Sequence, residues 1–223
     1  SIAGDIKKKT DPRIAQQHEK IIAKLVGFLR PPSETFLKYK KWENSSLSKY
    51  AFAIAHHKNA ESQKARKLLN ELIVNTPMDP YLWELKGQVL FESAKPRKAR
   101  SAYQKALSIN ADMPLVRQQL TRVELAINSP KAINSALKNA KITVRALPKS
   151  PLSWHNLAIA QGRNGQIAMA NLSLAELALL GNKMQKAVLH ANRAKKVLKA
   201  NTAAHQRSLD IIKICKKTGK KRC

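Results

Sequence analysis

Apolar residues recur along the chain at intervals of three and four, the spacing that places them on one face of an α-helix. The pattern begins after Asp11 and Pro12, which are typical of a helix N-cap and first turn, and it stops before Pro31 and Pro32. It predicts a first helix that ends at about residue 29, with an apolar stripe of Ile14, Ile21, Leu25, Phe28 and Leu29. Glycine is scarce and runs of β-branched residues are absent, which indicates an all-α protein.

A second pattern recurs every 34 residues and is most complete between residues 80 and 114. Counted from the first residue of that stretch, small residues stand at positions 8, 20 and 27, and aromatic residues stand at positions 4 and 24. The small residues are Gly87, Ala99 and Ala106, and the aromatic residues are Trp83 and Tyr103. The spacing is typical of the tetratricopeptide repeat, a hairpin of two closely packed helices, although Lys86 replaces the usual Leu at position 7.

The same unit occurs four times along the chain. It starts at Ser46, Pro80, Pro114 and Pro151, and the third unit fits once three extra residues are allowed in INSPKAINS. The segment AMANLSLAELALLG fits both as the second helix of the fourth unit and as the first helix of a fifth unit. The segment KMQKAVLHANRAKKVLK would then complete the fifth hairpin, and a closing helix is expected over residues 202–216.

One hairpin cannot bury its apolar face alone, whereas stacked neighbours can, so the repeats predict a right-handed superhelix of stacked antiparallel helix hairpins. We expect a loop and short turn carrying Phe36, Tyr39 and Trp42 to cap the first repeat. The expected segments are a disordered basic N-terminus (1–10), a leading helix and capping loop (11–45), a repeat array with a C-terminal capping helix (46–215) and a basic tail (216–223).

Sequence motifs for catalysis do not occur in this chain. His18 and Glu19 begin an HExxH zinc motif, but its fifth position is Ile22, and phosphate-binding, nucleophile-elbow and dinucleotide-binding loops are missing. We therefore expect a chain that is not an enzyme, takes no small-molecule substrate and needs no cofactor or metal of its own. Free thiols at Cys215 and Cys223 are favoured over a late disulfide. No apolar stretch is long enough to predict a transmembrane segment.

Charge is the other strong signal in the sequence. The chain has 42 Lys and Arg against 14 Asp and Glu, a net charge of +28, and residues 125–223 alone hold 19 basic and two acidic residues. Such a field attracts polyanions, such as nucleic acid, anionic membrane surfaces or acidic protein segments. Aromatic residues, which would stack on bases, make up 5% of the chain, so a basic, well-solvated surface is an equally good interpretation.

The order of these parts resembles the C-terminal repeat region of bacterial zinc metallopeptidases related to the β-barrel assembly-enhancing protease. The resemblance lies in DPRIAQQHEKIIAKLVGFLRPP, YAFAIAHHKNAESQKARKLLNELI, PYLWELKGQVLFESAKPRKA and PLSWHNLAIAQGRNGQIAMANLSLAELALLGN. In that family the zinc ligands lie in an upstream peptidase domain, so zinc and proteolysis are implied only for a longer parent. The resemblance implies a scaffold that docks substrate or partner proteins in the periplasm or cell envelope, and a cytoplasmic location stays open.

Tetratricopeptide-repeat proteins bind ligands in a concave groove lined by their first helices, chiefly at positions 5, 9, 12 and 13 of each unit. The resemblance therefore implies a protein or peptide ligand that contacts Tyr50, His57, Lys58, Glu84, Gln88, Phe91, Gln118, Arg122, His155 and Arg163, with Ile54, Glu92 and Ile159 beside them. The Lys and Asn set with which some relatives hold a peptide carboxylate cannot be assembled here. Lys58, Arg122 and Arg163 of the groove set are instead candidates to pair with acidic side chains or a carboxylate.

Overall fold

The computed structural model describes the backbone of residues 12–218 and the side chains of residues 18–214. Within that range the chain forms twelve α-helices and one short 3-10 helix, and contains no β-strand. The predictions for residues 1–10, for the last residues of the tail and for the thiols of Cys215 and Cys223 lie outside the described residues. None of the helices found between residues 12 and 218 is long and apolar enough to span a membrane.

The helices are Pro12–Leu29 (α1), Pro32–Tyr39 (α2), Ser46–Lys58 (α3), Ser62–Asn75 (α4), Pro80–Glu92 (α5), Pro96–Ile109 (α6), Pro114–Ile127 (α7), Pro130–Ala146 (α8), Pro151–Arg163 (α9), Ile167–Leu180 (α10), Met184–Val197 (α11) and Ala203–Thr218 (α12), and the 3-10 helix is Lys40–Trp42. The first helix therefore has the predicted bounds. The closing helix also forms, and it extends into the first residues of the expected tail.

Proline and small polar residues decide where these helices begin. Proline stands at the first position of α2 and of α5 to α9, where its missing N–H costs no hydrogen bond. The side chains of Ser45, Asp79, Ser129 and Ser150 cap α3, α5, α8 and α9 by accepting a hydrogen bond from a backbone N–H two or three residues later. The start of each repeat is thus set by local chemistry.

The chain divides into two compact units, and the first of them ends at Ala94. In this unit α3 and α4 form an antiparallel hairpin, α5 packs on α4, and both α1 and α2 pack on α3. The residues at positions 8 and 20 of the hairpin, Ala53 and Ala65, are fully buried, and Leu69 at position 24 fills the core beside them. The repeat spacing therefore corresponds to helix contacts, as predicted.

The loop expected before the first repeat is in fact helical, which corrects the prediction. Pro32 starts α2 instead of only ending α1, and Glu34 in the first turn complements the helix dipole. Tyr39 lies in the core and Phe36 packs against Phe52 with ring centroids 5.3 Å apart, so both cap the first repeat as expected. Trp42 does not, because more than half of its surface is exposed.

The second unit begins at Lys95 and contains α6 to α12. Consecutive helices pack as hairpins, α7 also contacts α9, and α12 closes the unit against α10 and α11. The predicted double role of α10 is confirmed, since it pairs with α9 on one side and with α11 on the other. The extra residues of the third repeat lengthen its second helix, α8, to 17 residues, against 14 in α4 and α6.

The two tryptophans at position 4 of their repeats make the same local contact. The indole N–H of Trp83 donates to the backbone carbonyl of Pro77, and that of Trp154 donates to Pro148, both at 2.8 Å. Each bond closes the turn six residues earlier in the chain, so it ties a repeat to the residues that precede it. The two tryptophans, which the sequence places at the same repeat position, therefore also make the same hydrogen bond in the structure.

Candidate binding faces on the first helices

The first helices of the first unit, α3 and α5, present a face that we call the α3/α5 face, made of Ile54, Lys58, Asp79 and Glu84. This face is covered by α1 of the same chain. The Cα of Gly27 lies so close to Ile54 that a Cβ atom added there would stand 2.9 Å from the Ile54 side chain. Ala23, one turn earlier on α1, is fully buried in the same core.

Polar contacts hold the middle and the C-terminal end of α1 on the α3/α5 face. In the middle, the Lys20 ammonium lies 2.6 Å from the Asp79 carboxylate, and that of Lys24 lies 3.0 Å from Glu84. At the C-terminal end, Lys58 donates hydrogen bonds of 2.7 Å to the backbone carbonyls of residues 28 and 30. Such a cation satisfies carbonyls that have no partner within the helix and complements the negative end of its dipole.

The groove residues predicted in this unit are therefore largely engaged within the chain. Lys58 and Glu84 contact α1, and Tyr50 is buried in the core under it. Burial, with smaller contributions from nearby carboxylates, raises the pKa of the Tyr50 phenol, so this group stays neutral. Tyr50 is not placed to meet an external ligand, because a residue at position 5 packs against neighbouring helices here.

Three further predicted residues gather at the C-terminal end of α5. His57 Nε2 lies 3.0 Å from one carboxylate oxygen of Glu92, and Gln88 donates to the other oxygen at 3.1 Å. Phe91, which directly precedes Glu92 in the sequence, is half-buried. The cluster ties α3 to the end of α5 and leaves the Glu92 carboxylate mostly exposed to solvent.

In the second unit, the corresponding face lies on α7 and α9, and we call it the α7/α9 face: Gln118, Arg122, His155, Ile159 and Arg163. Gln118 is buried and donates to the hydroxyls of two serines at the start of α9, at 2.9 and 2.7 Å. Arg163 donates at 2.5 Å to a backbone carbonyl near the end of α7. These two residues therefore hold α7 and α9 together, which their sequence positions did not reveal.

Two of the remaining members of the α7/α9 face are open to solvent. Arg122 and His155 are exposed, and Arg122 donates to Gln119 at 2.7 Å along the same helix. Ile159 is half-buried and packs against the apolar core of the unit. No acidic residue of α7 or α9 lies on this surface, because the one such residue in their sequences, Glu124, is fully buried. The face is thus cationic.

Glu124 is the centre of a buried polar cluster behind that face. Its carboxylate accepts hydrogen bonds from Ser135 at 2.6 Å and Asn139 at 2.9 Å, and it lies 3.3 Å from the guanidinium of Arg100. Arg117 in turn donates to Asn139. The Glu124 carboxylate therefore joins α6, α7 and α8.

Comparison with known proteins identifies the fold. Neither a protein-family model nor a curated protein matches the chain. Solved structures do: MamA of Desulfovibrio magneticus RS-1, from residue 41 onward, has a TM-score of 0.60 at 13% identity and covers 78% of this chain and 94% of its own. YrrB, described as a TPR protein with an unusual peptide-binding site, has a TM-score of 0.61 at 15% identity over 78% of this chain and 90% of its own.

A third structure, Naa15/Naa10 bound to HypK, has a TM-score of 0.55 at 12% identity and covers 92% of this chain but 34% of its own. At these identities the likeness concerns the fold alone. The chain has the tetratricopeptide-repeat fold.

For a tetratricopeptide-repeat chain, two features of the candidate site were not predictable from the repeat pattern. One is the use of α1 as a cover for the α3/α5 face, although the four-residue spacing of Lys20 and Lys24 is visible in the sequence. The other is the structural role of Gln118 and Arg163. Among the described side chains, no three His, Cys, Asp or Glu residues lie close enough together to hold a metal ion.

Proposed function

We propose that this chain is a non-catalytic scaffold that binds carboxylate-bearing polypeptide segments on the α7/α9 face. The observation that carries the proposal is the exposure of Arg122 and His155 beside Arg163 on a surface where their two helices place no acidic side chain. A guanidinium presents N–H donors in a planar fork that matches a carboxylate, which makes arginine suited to acidic side chains or a free C-terminus. The peptide-binding site named for the TPR protein YrrB supports this class of ligand.

The test is to select peptides from a random display library on the full chain and to measure the Kd of the selected peptides. We expect them to carry Asp, Glu or a free C-terminal carboxylate. Replacing Arg122 and His155 together by Ala should weaken binding by about tenfold or more, since each lost contact is a charge-assisted hydrogen bond. Arg163 is left unchanged because it also holds α9 to α7.

The matched control replaces two basic residues elsewhere, by changing Lys138 and Lys141 on α8 to Ala. This variant should bind the selected peptides as the unchanged chain does, because both lysines lie on another helix. Selected peptides without acidic groups, or equal binding by the Arg122 and His155 variant with its helicity intact, would refute the assignment of the α7/α9 face.

We further propose that the scaffold belongs to a longer envelope protein with an upstream zinc metallopeptidase domain. The support is the sequence resemblance, above all in the leading helix and in PYLWELKGQVLFES. An antibody raised against this chain and used on fractionated cells tests both parts of the proposal. A band heavier than the 24.9 kDa of this chain in the periplasmic or membrane fraction is expected. A cytosolic band of that mass would contradict it.

A second candidate function, polyanion binding, is favoured by one specific feature of α8. Lys131, Lys138, Lys141 and Arg145 are exposed and spaced by seven, three and four residues, so they form one line along the helix, which we call the α8 stripe. From Lys131 to Arg145, a separation of 14 residue steps, it extends about 21 Å along the helix. A row of cations of this length can track the charges of nucleic acid or of an anionic membrane surface.

The polyanion candidate predicts a steep dependence of affinity on salt. A labelled single-stranded oligonucleotide and anionic lipid vesicles would be titrated separately with the full chain between 50 and 200 mM salt, roughly the range in which such contacts weaken strongly. Changing Lys138, Lys141 and Arg145 to Gln should lower the slope of log K against log salt for the oligonucleotide by about 2. Binding that does not respond to salt, or that is absent at low salt, would reject this candidate.

A further inference from the structure

The α3/α5 face already holds a helix, and the contacts show what kind of helix it accepts. Lys20 and Lys24 stand one turn apart and meet Asp79 and Glu84, while Gly27 crosses Ile54 where even a Cβ atom would clash. The direction of the helix is also fixed, because a cation of the face, not an anion, meets its last carbonyls. The face therefore fits a helix with two lysines one turn apart, a very small residue where it crosses Ile54, and its C-terminal end at Lys58.

Three kinds of contact hold α1 in place. Ala23 and Gly27 pack closely on α3, Val26 and Phe28 pack partly buried against the same core, and both lysines of α1 keep about a third of their side-chain surface exposed. Ion pairs exposed to this degree contribute little. The large apolar side chains Ile21, Leu25 and Leu29 are each more than half exposed, so these three add little of the hydrophobic burial that usually fixes a helix in place.

The charge of the face fits a basic ligand and is unusual in this protein. The chain carries a net charge of +28 with 14 acidic residues in all, yet Asp79 and Glu84 stand together on this face and point at α1. The link from α1 to the rest of the unit is short, and it contains Arg30 and Pro31 between the end of α1 and the start of α2. Release of α1 would uncover Asp79 and Glu84 and would leave the direct contacts between α3 and α4 in place.

From these contacts we infer that the α3/α5 face is a binding site for a basic amphipathic helix of a partner protein, and that α1 is its tethered, displaceable occupant. The recognised pattern is Lys-x3-Lys-x2-Gly, followed within one turn by a helix C-terminus whose carbonyls meet Lys58. Ala also fits this pattern less well than Gly, because Ile54 leaves no room for a Cβ atom. The site is separate from the α7/α9 face, so either proposal can fail while the other stands.

The test uses the full chain and, as the probe, a fluorescent peptide with the sequence of residues 12–30. In the unchanged chain α1 competes with the probe, so binding should be weak. The substitution Gly27→Leu in the chain forces its own α1 away from Ile54 and should tighten probe binding by about tenfold or more. Leu29→Ala, on the exposed side of α1, is the matched control and should leave probe binding as in the unchanged chain.

Specificity is tested with the charges at Lys24 and Glu84. Adding Glu84→Lys to the Gly27→Leu chain should weaken binding of the probe, and a probe carrying Lys24→Glu should recover it. A probe that itself carries Gly27→Leu should not bind any of these chains. If Gly27→Leu impairs folding, the chain with Lys20→Glu and Lys24→Glu displaces α1 by charge repulsion and is used in its place.

Two results would overturn the inference. In the first, the probe binds the unchanged and the Gly27→Leu chains equally weakly while helicity and melting show that the remaining helices are intact, so that α1 is a permanent part of the fold. In the second, the unchanged chain forms dimers that Gly27→Leu abolishes, so that the occupant is α1 of a second copy. Peptide selection on the α7/α9 face, with its Arg122 and His155 variant, is unaffected by either result.

Discussion

The side chain of Glu124 joins three helices of the second unit. Its carboxylate is fully buried, but Arg100, Ser135 and Asn139 supply it with one cationic and two neutral hydrogen-bond donors. A buried charge is tolerated only when it is paired and hydrogen-bonded in this way. The arrangement is specific, since the three donors come from helices on either side of α7.

We predict that Glu124→Ala lowers the free energy of unfolding by about 3–5 kcal/mol, because it leaves the partly buried cation of Arg100 without its counter-charge and two polar groups without an acceptor. Urea denaturation followed by circular dichroism measures the change. Asp112→Ala, which removes an exposed carboxylate in the same unit, is the control and should change stability little. A loss below about 1 kcal/mol for Glu124→Ala would show that the cluster is replaceable.

At the scale of helices, the sequence predicted what local chemistry determines. Hairpins, their small contact residues and most helix starts follow from residues near one another in the chain, such as Ala53, Ala65 and the capping serines. The place of α1 does not, because the pair between Lys20 and Asp79 spans 59 residues and no repeat period encodes it. The short helix α2 was missed because its first proline was interpreted only as a stop signal.

The candidate site, too, could be predicted only in part from the sequence. Arg122 and His155 are exposed, whereas Tyr50 and Gln118 are buried, although all four were predicted to line the groove. A repeat position tells which way a side chain points from its own helix, but not which neighbouring helix covers it. Ligand contact at any of these positions stays a prediction until binding is measured.

One ion pair joins the closing helix α12 to α10. Arg207 donates two hydrogen bonds, of 2.6 and 2.9 Å, to the nearly buried carboxylate of Glu176 on α10. Hydrogen bonding to Glu176 raises the pKa of Arg207, so the guanidinium stays charged. Two parallel bonds also fix the orientation of α12.

We therefore predict that Arg207→Ala destabilises α12 by about 1–3 kcal/mol, a value reduced for the partial exposure of the guanidinium. Hydrogen exchange measured by mass spectrometry should show faster exchange in α12 and little change in α7 to α9. Gln206→Ala, at the neighbouring exposed position, is the control. Unchanged protection of α12 would mean that the apolar contacts of Ile211 hold it without the ion pair.

For the whole chain, the balance of charge decides how salt acts on stability. The 14 acidic residues can neutralise at most a third of the 42 basic ones, and several of them are already paired, as Glu71 is with Lys49. The remaining positive charges repel one another more strongly in the folded chain, where they are closer together, than in the unfolded chain. Salt screens this repulsion, but it also weakens the ion pairs at the surface.

We predict that repulsion is the larger effect, so that the melting temperature rises by about 2–6 °C between 10 and 300 mM sodium chloride, as the screening length falls from about 30 to below 10 Å. Changing the exposed Lys195 and Lys196 of α11 to Glu should raise the melting temperature at low salt and reduce the gain from added salt. Changing both to Arg keeps the charge and should reproduce the behaviour of the unchanged chain. A melting temperature that falls on adding salt would show instead that ion pairs such as Lys20 with Asp79 outweigh the repulsion.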